Sequence, residues 1–294
     1  MTGGTGFVGS HVVPRLIADG HEVTILARDP AKVPGYAALR GVSFVQGDLA
    51  SDRIVHDALA GHDALVHIAL GSGDTARERV INDTVTAVRL FESAAEQRVQ
   101  HLVHTSTVGV YEARPGRYGD ADPTRPTHIY GATKAAGESY AFAIADAYGI
   151  RANVIRPGYT FGEPELAGAP MQRMPELPAI ARAVAAGEPV TVTRNAGLQF
   201  IAARDLASVY AAVLASPGLN RRSLTALSPR FLTWETIAGW AKEELGSASE
   251  IVVRDEGVEL AALTFDVTGI EREFGFRFDP EPALRAHLRH RALG

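Results

Sequence analysis

A glycine-rich turn in the first ten residues constrains the fold of this chain more than any other feature. Residues 2–10 read Thr-Gly-Gly-Thr-Gly-Phe-Val-Gly-Ser, with glycines in a G-x-x-G-x-x-G spacing before a helical pattern. The first glycine permits a tight turn, the second lets backbone approach a pyrophosphate, and the third permits close packing of the helix. The pyrophosphate would then face the free N–H groups of the helix N-terminus. The predicted dinucleotide-binding residues are Gly3, Gly6, Phe7, Val8 and Gly9, and a plain loop is the alternative.

Runs of aliphatic and β-branched residues alternate with helical patterns after this turn. The predicted strands are 21–26, 42–46, 64–68, 101–105 and 152–156, and the predicted helices are 10–19, 54–60, 78–97 and 130–148. Such alternation is typical of an α/β protein with a parallel sheet covered by helices on both faces. Together with the glycine turn, it predicts a Rossmann-type, doubly wound parallel sheet.

The pattern becomes looser after residue 156, which suggests two parts of different character. We expect a dinucleotide-binding domain over 1–160, with a returning segment at about 190–215, and a smaller, mainly substrate-binding lobe over 161–294. Residues 162–178 hold four prolines and two glycines, which indicates a loop.

The glycine turn should follow a strand, yet only Met1 precedes Thr2. In a doubly wound sheet that strand is central. Removing it would leave backbone N–H and C=O groups unpaired on the strands at either side. The sequence therefore predicts a truncated first strand, with mostly β-branched residues expected upstream of Met1. The alternative is that another segment occupies the position.

The end of the second predicted strand bears on the choice of cofactor. The strand ends Leu-Ala-Arg-Asp, so that Ala27 stands where an acidic residue would bind the adenosine ribose of NAD. Arg28 follows and could bind the 2′-phosphate of NADP, whereas Asp29 leaves NAD open. We expect NADP to be favoured over NAD.

A tyrosine and a lysine four residues apart open the helical pattern at 130–148. Residues at this spacing share a helix face, so the Tyr130 phenol and the Lys134 ammonium can meet one ligand. A cation beside a phenol lowers the phenol pKa, which suits Tyr130 as a general acid or base. Thr107 closely follows the predicted strand 101–105, and its hydroxyl could bind a substrate oxygen or cap the strand end.

These motifs, in this order over about residues 1–210, resemble the extended short-chain dehydrogenase/reductases, the NAD-dependent epimerase/dehydratase family. The resemblance implies that Thr107, Tyr130 and Lys134 are catalytic. It further implies cofactor contacts from Asp48, Leu49, Ala69, Asn82, Tyr130, Lys134 and Pro157. Two departures matter: Tyr159 or Thr160 stands where nucleotide-sugar epimerases carry Asn, and Thr107-Val108 lacks the Asp-Glu pair of the dehydratases.

Composition limits the partners. A net charge of -5 argues against nucleic acid, and the absence of cysteine excludes disulfides and thiolate metal sites. Histidines occur on different strands without a ligand cluster, so no metal is predicted. No apolar run or leader signal suggests a membrane, and we expect a cytoplasmic protein. Apolar stripes on helices 78–97 and 130–148 fit either a homodimer, as in the family, or burial against the sheet.

Two classes of function remain. The first is an enzyme that transfers a hydride between NAD(P) and a hydroxyl or keto carbon of a small substrate, either as an epimerase of a sugar nucleotide or as a reductase of a non-sugar ketone. The second is a non-catalytic module that senses NAD(P). The complete set of Thr107, Tyr130 and Lys134 favours the enzyme, because a sensor needs no proton-transfer group.

Overall fold

A computed structural model describes residues 1–172, 174–259 and 263–293 of the chain. The strands are β1 Val23–Ala27, β2 Val42–Gln46, β3 Ala64–His67, β4 His101–Thr105, β5 Gly116–Tyr118, β6 Arg151–Pro157, β7 Tyr159–Phe161, β8 Val190–Thr193, β9 Gly197–Ala202, β10 Arg222–Ala226, β11 Phe231–Thr233, β12 Ile251–Arg254 and β13 Leu263–Phe265. The helices are α1 Phe7–Ala18, α2 Asp52–Leu59, α3 Ala76–Arg79, α4 Thr86–Glu96, α5 Ile129–Tyr148, α6 Glu176–Ala185, α7 Ala203–Leu214, α8 Trp234–Leu245, α9 Thr268–Phe274 and α10 Glu281–Leu293. A π-helical turn, Val80–Val85, joins α3 to α4.

The principal sheet is parallel throughout. Strands β3, β4, β6 and β10 pair in that order, and β1 pairs with β2. Thr2 bridges the two groups, since it pairs in parallel with Leu26 on one side and with His67 on the other. The carboxyl ends of all these strands therefore lie on the same side of the sheet, where ligands bind in parallel α/β sheets. The predicted Rossmann-type fold is confirmed.

Met1 and Thr2 lie between β1 and β3, in the position predicted for the first strand. The Thr2 N–H donates to the Val66 carbonyl at 3.0 Å, and the Leu26 N–H donates to the Met1 carbonyl at 3.0 Å. Beyond Met1, β1 and β3 are separated by an open groove of about 770 Å³. In the described part of the chain, no other segment pairs with the facing edges of these two strands.

Helices cover both faces of the principal sheet, because its strands are apolar on both sides. On one face α1 packs against α7, and on the other α4 lies between α2 and α5. The side chains of Ile25, Leu102 and Ile155 are fully buried between these layers. The sheet is thus held rigidly, which fixes the positions of its strand ends.

A second lobe follows the sheet in the chain. It contains the three-stranded arrangement β7-β9-β11 and the parallel pair β8-β12, with α6, α8 and α10 packed around them. Within the expected returning segment at 190–215, β8 and β9 belong to this lobe, whereas α7 packs against α1 on the principal sheet. The strand that returns to the principal sheet is β10, which pairs in parallel with β6.

The predicted helix 78–97 is not one continuous α-helix. It comprises α3, the π-helical turn and α4. A π-turn inserts an extra residue per turn and rotates the side chains that follow, and such turns are frequent at functional sites. Here it carries Asn82 and Asp83 at the edge of the sheet.

Candidate active site

The glycine turn has the geometry of a phosphate cradle. Gly3 has a φ of +72°, and a Cβ there would lie 2.5 Å from the Ala69 nitrogen. A Cβ on Gly9 would lie 2.3 Å from the Gly3 carbonyl oxygen, so only glycine lets α1 begin this close to the turn. Gly6 precedes α1, and no side chain in the described residues caps this helix end. The N–H groups of Phe7 and Val8 are therefore available to an anion, which fits a pyrophosphate.

A cleft of about 330 Å³ begins at this turn and runs along the carboxyl ends of β1, β2 and β3. Six of the residues predicted to bind a cofactor line it: Gly3, Arg28, Asp48, Leu49, Ala69 and Asn82. The Tyr36 hydroxyl supports the turn from behind by donating to the Gly4 carbonyl at 2.5 Å. Sequence reasoning did not identify Tyr36, and no motif marks it. Pro157 lies apart from this cleft, at the end of β6.

Arg28 and Asp29 diverge at the adenosine end of the cleft. Arg28 is exposed and lines the cleft. Asp29 instead accepts the Ala31 N–H at 3.2 Å and caps the short 3-10 helix Pro30–Lys32. The carboxylate that could have bound a ribose is thus engaged in a local turn.

The three hydroxyls that end β4 have different partners. Thr105 bonds the Tyr210 hydroxyl at 2.7 Å, and Ser106 donates to Glu138. Thr107 accepts the Gly109 N–H at 3.1 Å, which leaves its own hydroxyl proton free to donate. Of the three, Thr107 alone lines the neighbouring pocket. The Thr107 hydroxyl can therefore accept the capping bond from Gly109 and still donate to a substrate oxygen.

Tyr130 lies in the first turn of α5 and lines the same pocket as Thr107. Its ring stacks on that of His128, with 6.1 Å between centroids, and the His128 Nδ1 accepts the Gly131 N–H at 2.9 Å. His128 was not identified from the sequence, although a residue just before a helix is a usual capping position.

The expected depression of the Tyr130 pKa is not found. Burial raises the pKa of the phenol, a hydrogen bond with Thr107 opposes this, and the negative charge of Asp83 adds to the increase. Lys134 is 3 % exposed, and its ammonium lies 3.2 Å from an Asp83 oxygen. Lys134, the cation that was expected to activate the phenol, is therefore paired with a carboxylate, and the pKa of Tyr130 is raised mainly by burial.

A second buried ion pair supports the floor of the site. Arg156, at the end of β6, donates to Glu138 of α5 through Nε at 2.9 Å and Nη2 at 2.6 Å. Its Nη1 donates to the Tyr111 hydroxyl at 2.8 Å. This network joins α5 to the end of β6 and to Ser106 and Tyr111, the chain neighbours of the Thr107 segment.

The pocket beside Thr107 and Tyr130 has a volume of about 750 Å³. Aromatic side chains from both lobes line it: Tyr111, Tyr159, Phe231, Trp234 and Phe265. Among the described lining residues there is no arginine or lysine. Arg194, which precedes the pocket residue Asn195 in the chain, pairs with Asp255 at 3.3 Å. Arg204 is 70 % exposed and lies near Asp205.

Neither a metal site nor a membrane-spanning helix is found among the described residues. Residues 1–172, 174–259 and 263–293 contain no group of three or more His, Asp or Glu arranged to hold a metal ion. Within the same ranges, none of the helices combines the length and apolarity needed to cross a membrane.

Comparison with known proteins agrees with this geometry. The sequence model of the NAD-dependent epimerase/dehydratase family matches residues 1–223. The chain belongs to this family. The resemblance inferred from the glycine turn, the Tyr130/Lys134 pair and the intervening motifs is thereby confirmed.

Members of the NAD-dependent epimerase/dehydratase family with different activities resemble the chain. A dTDP-glucose 4,6-dehydratase of Streptomyces niveus is 33 % identical over 180 residues, which cover 55 % of this chain and 53 % of that protein. A UDP-glucose 4-epimerase of Halalkalibacterium halodurans is 30 % identical over 162 residues, covering 51 % and 47 %. A 4-hydroxy-2-methyl-3-oxo-4-farnesyl-3,4-dihydroquinoline-1-oxide ketoreductase of Stigmatella aurantiaca is 29 % identical over 176 residues, covering 58 % and 52 %. The matched part spans about half the length of these curated relatives.

Solved structures of the family share the fold over nearly the whole chain. The UDP-glucuronic acid 4-epimerase of Bacillus cereus in complex with NAD has a TM-score of 0.81 at 18 % identity, covering 99 % of this chain and 97 % of that one. The sequence identity is low, so this similarity concerns the fold.

Proposed function

We propose that the protein transfers a hydride between a nicotinamide dinucleotide and a hydroxyl or keto carbon of a small substrate. The observation that carries this proposal is the position of Tyr130 between two cavities. Its phenol lines the aromatic pocket together with Thr107, while Asp83, the partner of Lys134, lines the cofactor cleft. A proton donor therefore lies where a substrate and a dinucleotide would meet.

Each of these side chains has a role in such a reaction. The Thr107 hydroxyl donates a hydrogen bond to the substrate oxygen and orients it toward Tyr130. The Tyr130 phenol exchanges a proton with that oxygen as a general acid or base. Lys134 lies one helical turn behind the phenol, within reach of the nicotinamide ribose. The bound dinucleotide supplies or accepts the hydride.

NADP is the proposed preferred cofactor. Arg28 lines the adenosine end of the cleft, where its guanidinium can form a bidentate contact with a 2′-phosphate. Asp29 would have to leave its capping bond to Ala31 to bind a ribose hydroxyl. The solved relative mentioned above binds NAD, so the preference for NADP would be a property of this chain's own β1 end.

The substrate is either a sugar nucleotide or a non-sugar ketone. Epimerases and dehydratases among the relatives are named for sugar nucleotides, and the ketoreductase is named for a farnesylated ring ketone. The aromatic lining from Tyr159, Phe231 and Trp234 favours a substrate with an apolar or ring-shaped body, because such surfaces bind by apolar burial and stacking. We therefore favour reduction of a non-sugar ketone over epimerisation.

The decisive experiment follows NADPH absorbance with a panel of sugar nucleotides and of aromatic or steroidal ketones. A reductase consumes NADPH in proportion to product, whereas an epimerase converts substrate without net consumption of added cofactor. The Tyr130→Phe variant should lose turnover by about 100-fold or more while it still binds NADPH. Tyr148→Phe, at the exposed end of α5, is the matched control and should retain turnover. Equal turnover of the two variants would refute the role of Tyr130, and cofactor binding without any turnover would favour a sensor.

A homodimer through α4 and α5 completes the proposal. Leu90, Phe91 and Ile144 are buried against the sheet, but Val85 and Tyr140 are 42 % and 48 % exposed on the outer surface. Covering these apolar side chains with a second copy would remove them from water. Light scattering should give the mass of two chains, and the double variant Val85→Glu/Tyr140→Glu should give the mass of one. A monomeric wild-type protein at micromolar concentration would contradict the dimer.

A further inference from the structure

The first turn of α5 is capped by a histidine. His128 has extended backbone angles, φ −142° and ψ 156°, and its carbonyl accepts the Ala132 N–H at 3.0 Å. Its side chain accepts as well, since Nδ1 receives the Gly131 N–H at 2.9 Å. The N–H groups of a first turn have no intrahelical partners, and the capping side chain satisfies one of them. The imidazole therefore stabilises the turn that carries Tyr130.

This hydrogen bond fixes the tautomer of His128. A neutral imidazole has one nitrogen that donates a hydrogen bond and one that accepts. Because Nδ1 accepts the Gly131 N–H, the ring proton lies on Nε2. An imidazolium ion has a donor on each nitrogen and no acceptor. The capping bond is thus available to the neutral imidazole alone.

The imidazole also contacts the phenol ring of Tyr130. The two rings are stacked, with 6.1 Å between their centroids and 9° between their planes. This separation lies within the range in which ring pairs attract each other. Both side chains line the aromatic pocket. The phenol is therefore oriented by the imidazole as well as by the backbone that joins the two residues.

Two glycines leave the room that the imidazole occupies. A Cβ on Gly109 would lie 3.0 Å from Cε1 of His128 and 3.1 Å from Nε2. A Cβ on Gly131 would lie 3.0 Å from the same Cε1 and would collide with the Gly109 carbonyl oxygen. The segment after β4 and the start of α5 thus contact the ring edge from two sides, which keeps Nδ1 directed at the helix.

Other titratable side chains surround His128 without pairing with it. On the segment after β4 and on α5 they are Tyr111, Glu112, Tyr130 and Lys134, and across the pocket they are Tyr159 and Glu259. Glu112 pairs with Arg114 at 2.8 Å, Lys134 pairs with Asp83 at 3.2 Å, and Glu259 is exposed. The ion pairs that histidines form within the described residues involve His11, His56, His287 and His290. No carboxylate there compensates a positive charge on His128.

We propose that His128 is a positioning residue that holds Tyr130 in place only while its imidazole is neutral. Histidines change charge between about pH 5 and 8, and this one is exposed to solvent. After proton uptake, Nδ1–H would face the Gly131 N–H, and the new cation would lie at the positive end of the helix dipole. The capping bond is then lost and the first turn of α5 loosens, so the phenol loses its fixed orientation. Serine and asparagine, the usual capping residues, keep their acceptor throughout this range.

The consequence for turnover rests on the hydride-transfer function proposed above, whereas the cap itself does not. In that reaction the phenol must meet the substrate oxygen at hydrogen-bonding distance, so a loosened first turn lowers the rate. Turnover should therefore fall reversibly as pH falls through the range in which histidines take up a proton.

The first test observes the cap in the full chain without substrate or cofactor. Nitrogen-15 NMR of histidine-labelled protein at about pH 8 should show the ring proton of His128 on Nε2, with His128→Asn used to assign the signals. The protection of the Gly131 amide against solvent exchange, corrected for the intrinsic rate, should fall about fivefold between about pH 7.5 and 5.5, because a cap contributes roughly that factor. A proton on Nδ1, or equal protection at both pH values, would overturn the proposal.

Variants that keep a cap but remove its titration give the second comparison. His128→Asn supplies an amide oxygen that accepts the same N–H at every pH in this range, so the protection of Gly131 should stay constant. His128→Ser supplies a hydroxyl acceptor and takes its place if the asparagine variant does not fold. His128→Ala has no acceptor, and protection should be low at both pH values. A decline in the capped variants as large as that in the wild type would contradict the role of the imidazole proton.

Turnover reports on the phenol. With a ketone that the protein reduces, kcat of the wild type should fall about fivefold between about pH 7.5 and 5.5, while kcat of His128→Asn should stay nearly constant relative to its own value at the higher pH. His21→Asn, at an exposed histidine before the amino end of β1, is the matched control and should follow the wild type. Parallel profiles for the wild type and His128→Asn would overturn the positioning role. A pH-dependent cap in a protein without turnover would contradict the proposed function and leave the cap intact.

Discussion

At the scale of single residues, the proposed preference for NADP depends on Arg28. Its guanidinium lines the adenosine end of the cleft, next to Ala27 and opposite Asp48. Gln46 donates to the Arg28 carbonyl at 3.3 Å, which ties the end of β1 to that of β2. The backbone at this point is thus held in place while the guanidinium is free to meet a phosphate.

Arg28→Ala should therefore raise the KM for NADPH by about tenfold or more and change that for NADH little. A hydrogen bond to a charged group contributes about 1.5–3 kcal/mol, and NADH has no 2′-phosphate to receive it. Initial rates with both cofactors measure the effect. Arg277→Ala, at an exposed arginine remote from the cleft, is the control. Equal increases for the two cofactors would contradict the role of Arg28.

Asp83 also belongs to this scale, because its importance depends on one contact. The sequence motif directs attention to Asn82, which lines the cleft with its side chain exposed. The contact with Lys134 joins residues 51 positions apart in the sequence. No local pattern encodes such a distance.

At the scale of elements, the ion pair between α5 and β6 holds the helix that carries Tyr130. Glu138 and Arg156 are each 5 % exposed in their side chains, and Ser106 and Tyr111 complete their hydrogen bonds. A buried pair of this kind stabilises only while both members are present, since a single charge left in the core is unfavourable.

Glu138→Ala should lower the free energy of unfolding by about 3–5 kcal/mol. The matched control is Asp146→Ala, on the same helix, which breaks an exposed pair with Arg221 and should cost less than about 1 kcal/mol. Urea denaturation at neutral pH compares the two variants. Similar losses would mean that the buried pair adds nothing beyond a surface contact.

Helix α4 shows how far an element can be predicted. The apolar spacing of its residues correctly indicated a helix, and Leu90 and Phe91 are buried as that spacing implies. The π-turn before it was missed, because residues 80–85 contain no proline or glycine to signal a change of helix type. Within this turn, Asp83 accepts hydrogen bonds from Gly71, Thr133 and Lys134.

At the scale of the whole molecule, a groove separates β1 from β3 in the principal sheet. The Met1 amino group donates to the Thr24 carbonyl at 2.7 Å, and burial lowers the pKa of this amine to about 5. The facing strand edges continue beyond this point along a groove of about 770 Å³. A polypeptide strand has the right shape for the groove, since its backbone could pair with both edges.

Fusing about five β-branched residues before Met1 should raise the temperature of unfolding by about 4 °C or more, because new ladder bonds and apolar burial would add at least ~2 kcal/mol. Differential scanning calorimetry of the extended and original chains measures this change. An extension of the same length made of glycine and serine is the control, and it should give little increase. Equal unfolding temperatures for both extensions would contradict pairing in the groove.

The sequence by itself determined the class of the fold and predicted six of the residues that line the cleft. Glycine at positions 3, 6 and 9 and the alternation of strand and helix patterns are local signals, and local signals fix turns, helices and the direction of parallel strands. Only the tertiary structure decided the electrostatic state of the site. The pairing of Lys134 with Asp83, and the burial that raises the pKa of Tyr130, depend on which distant side chains are packed together. Burial and charge balance are properties of the packed molecule, so the direction of that shift could not be inferred from the spacing of Tyr130 and Lys134.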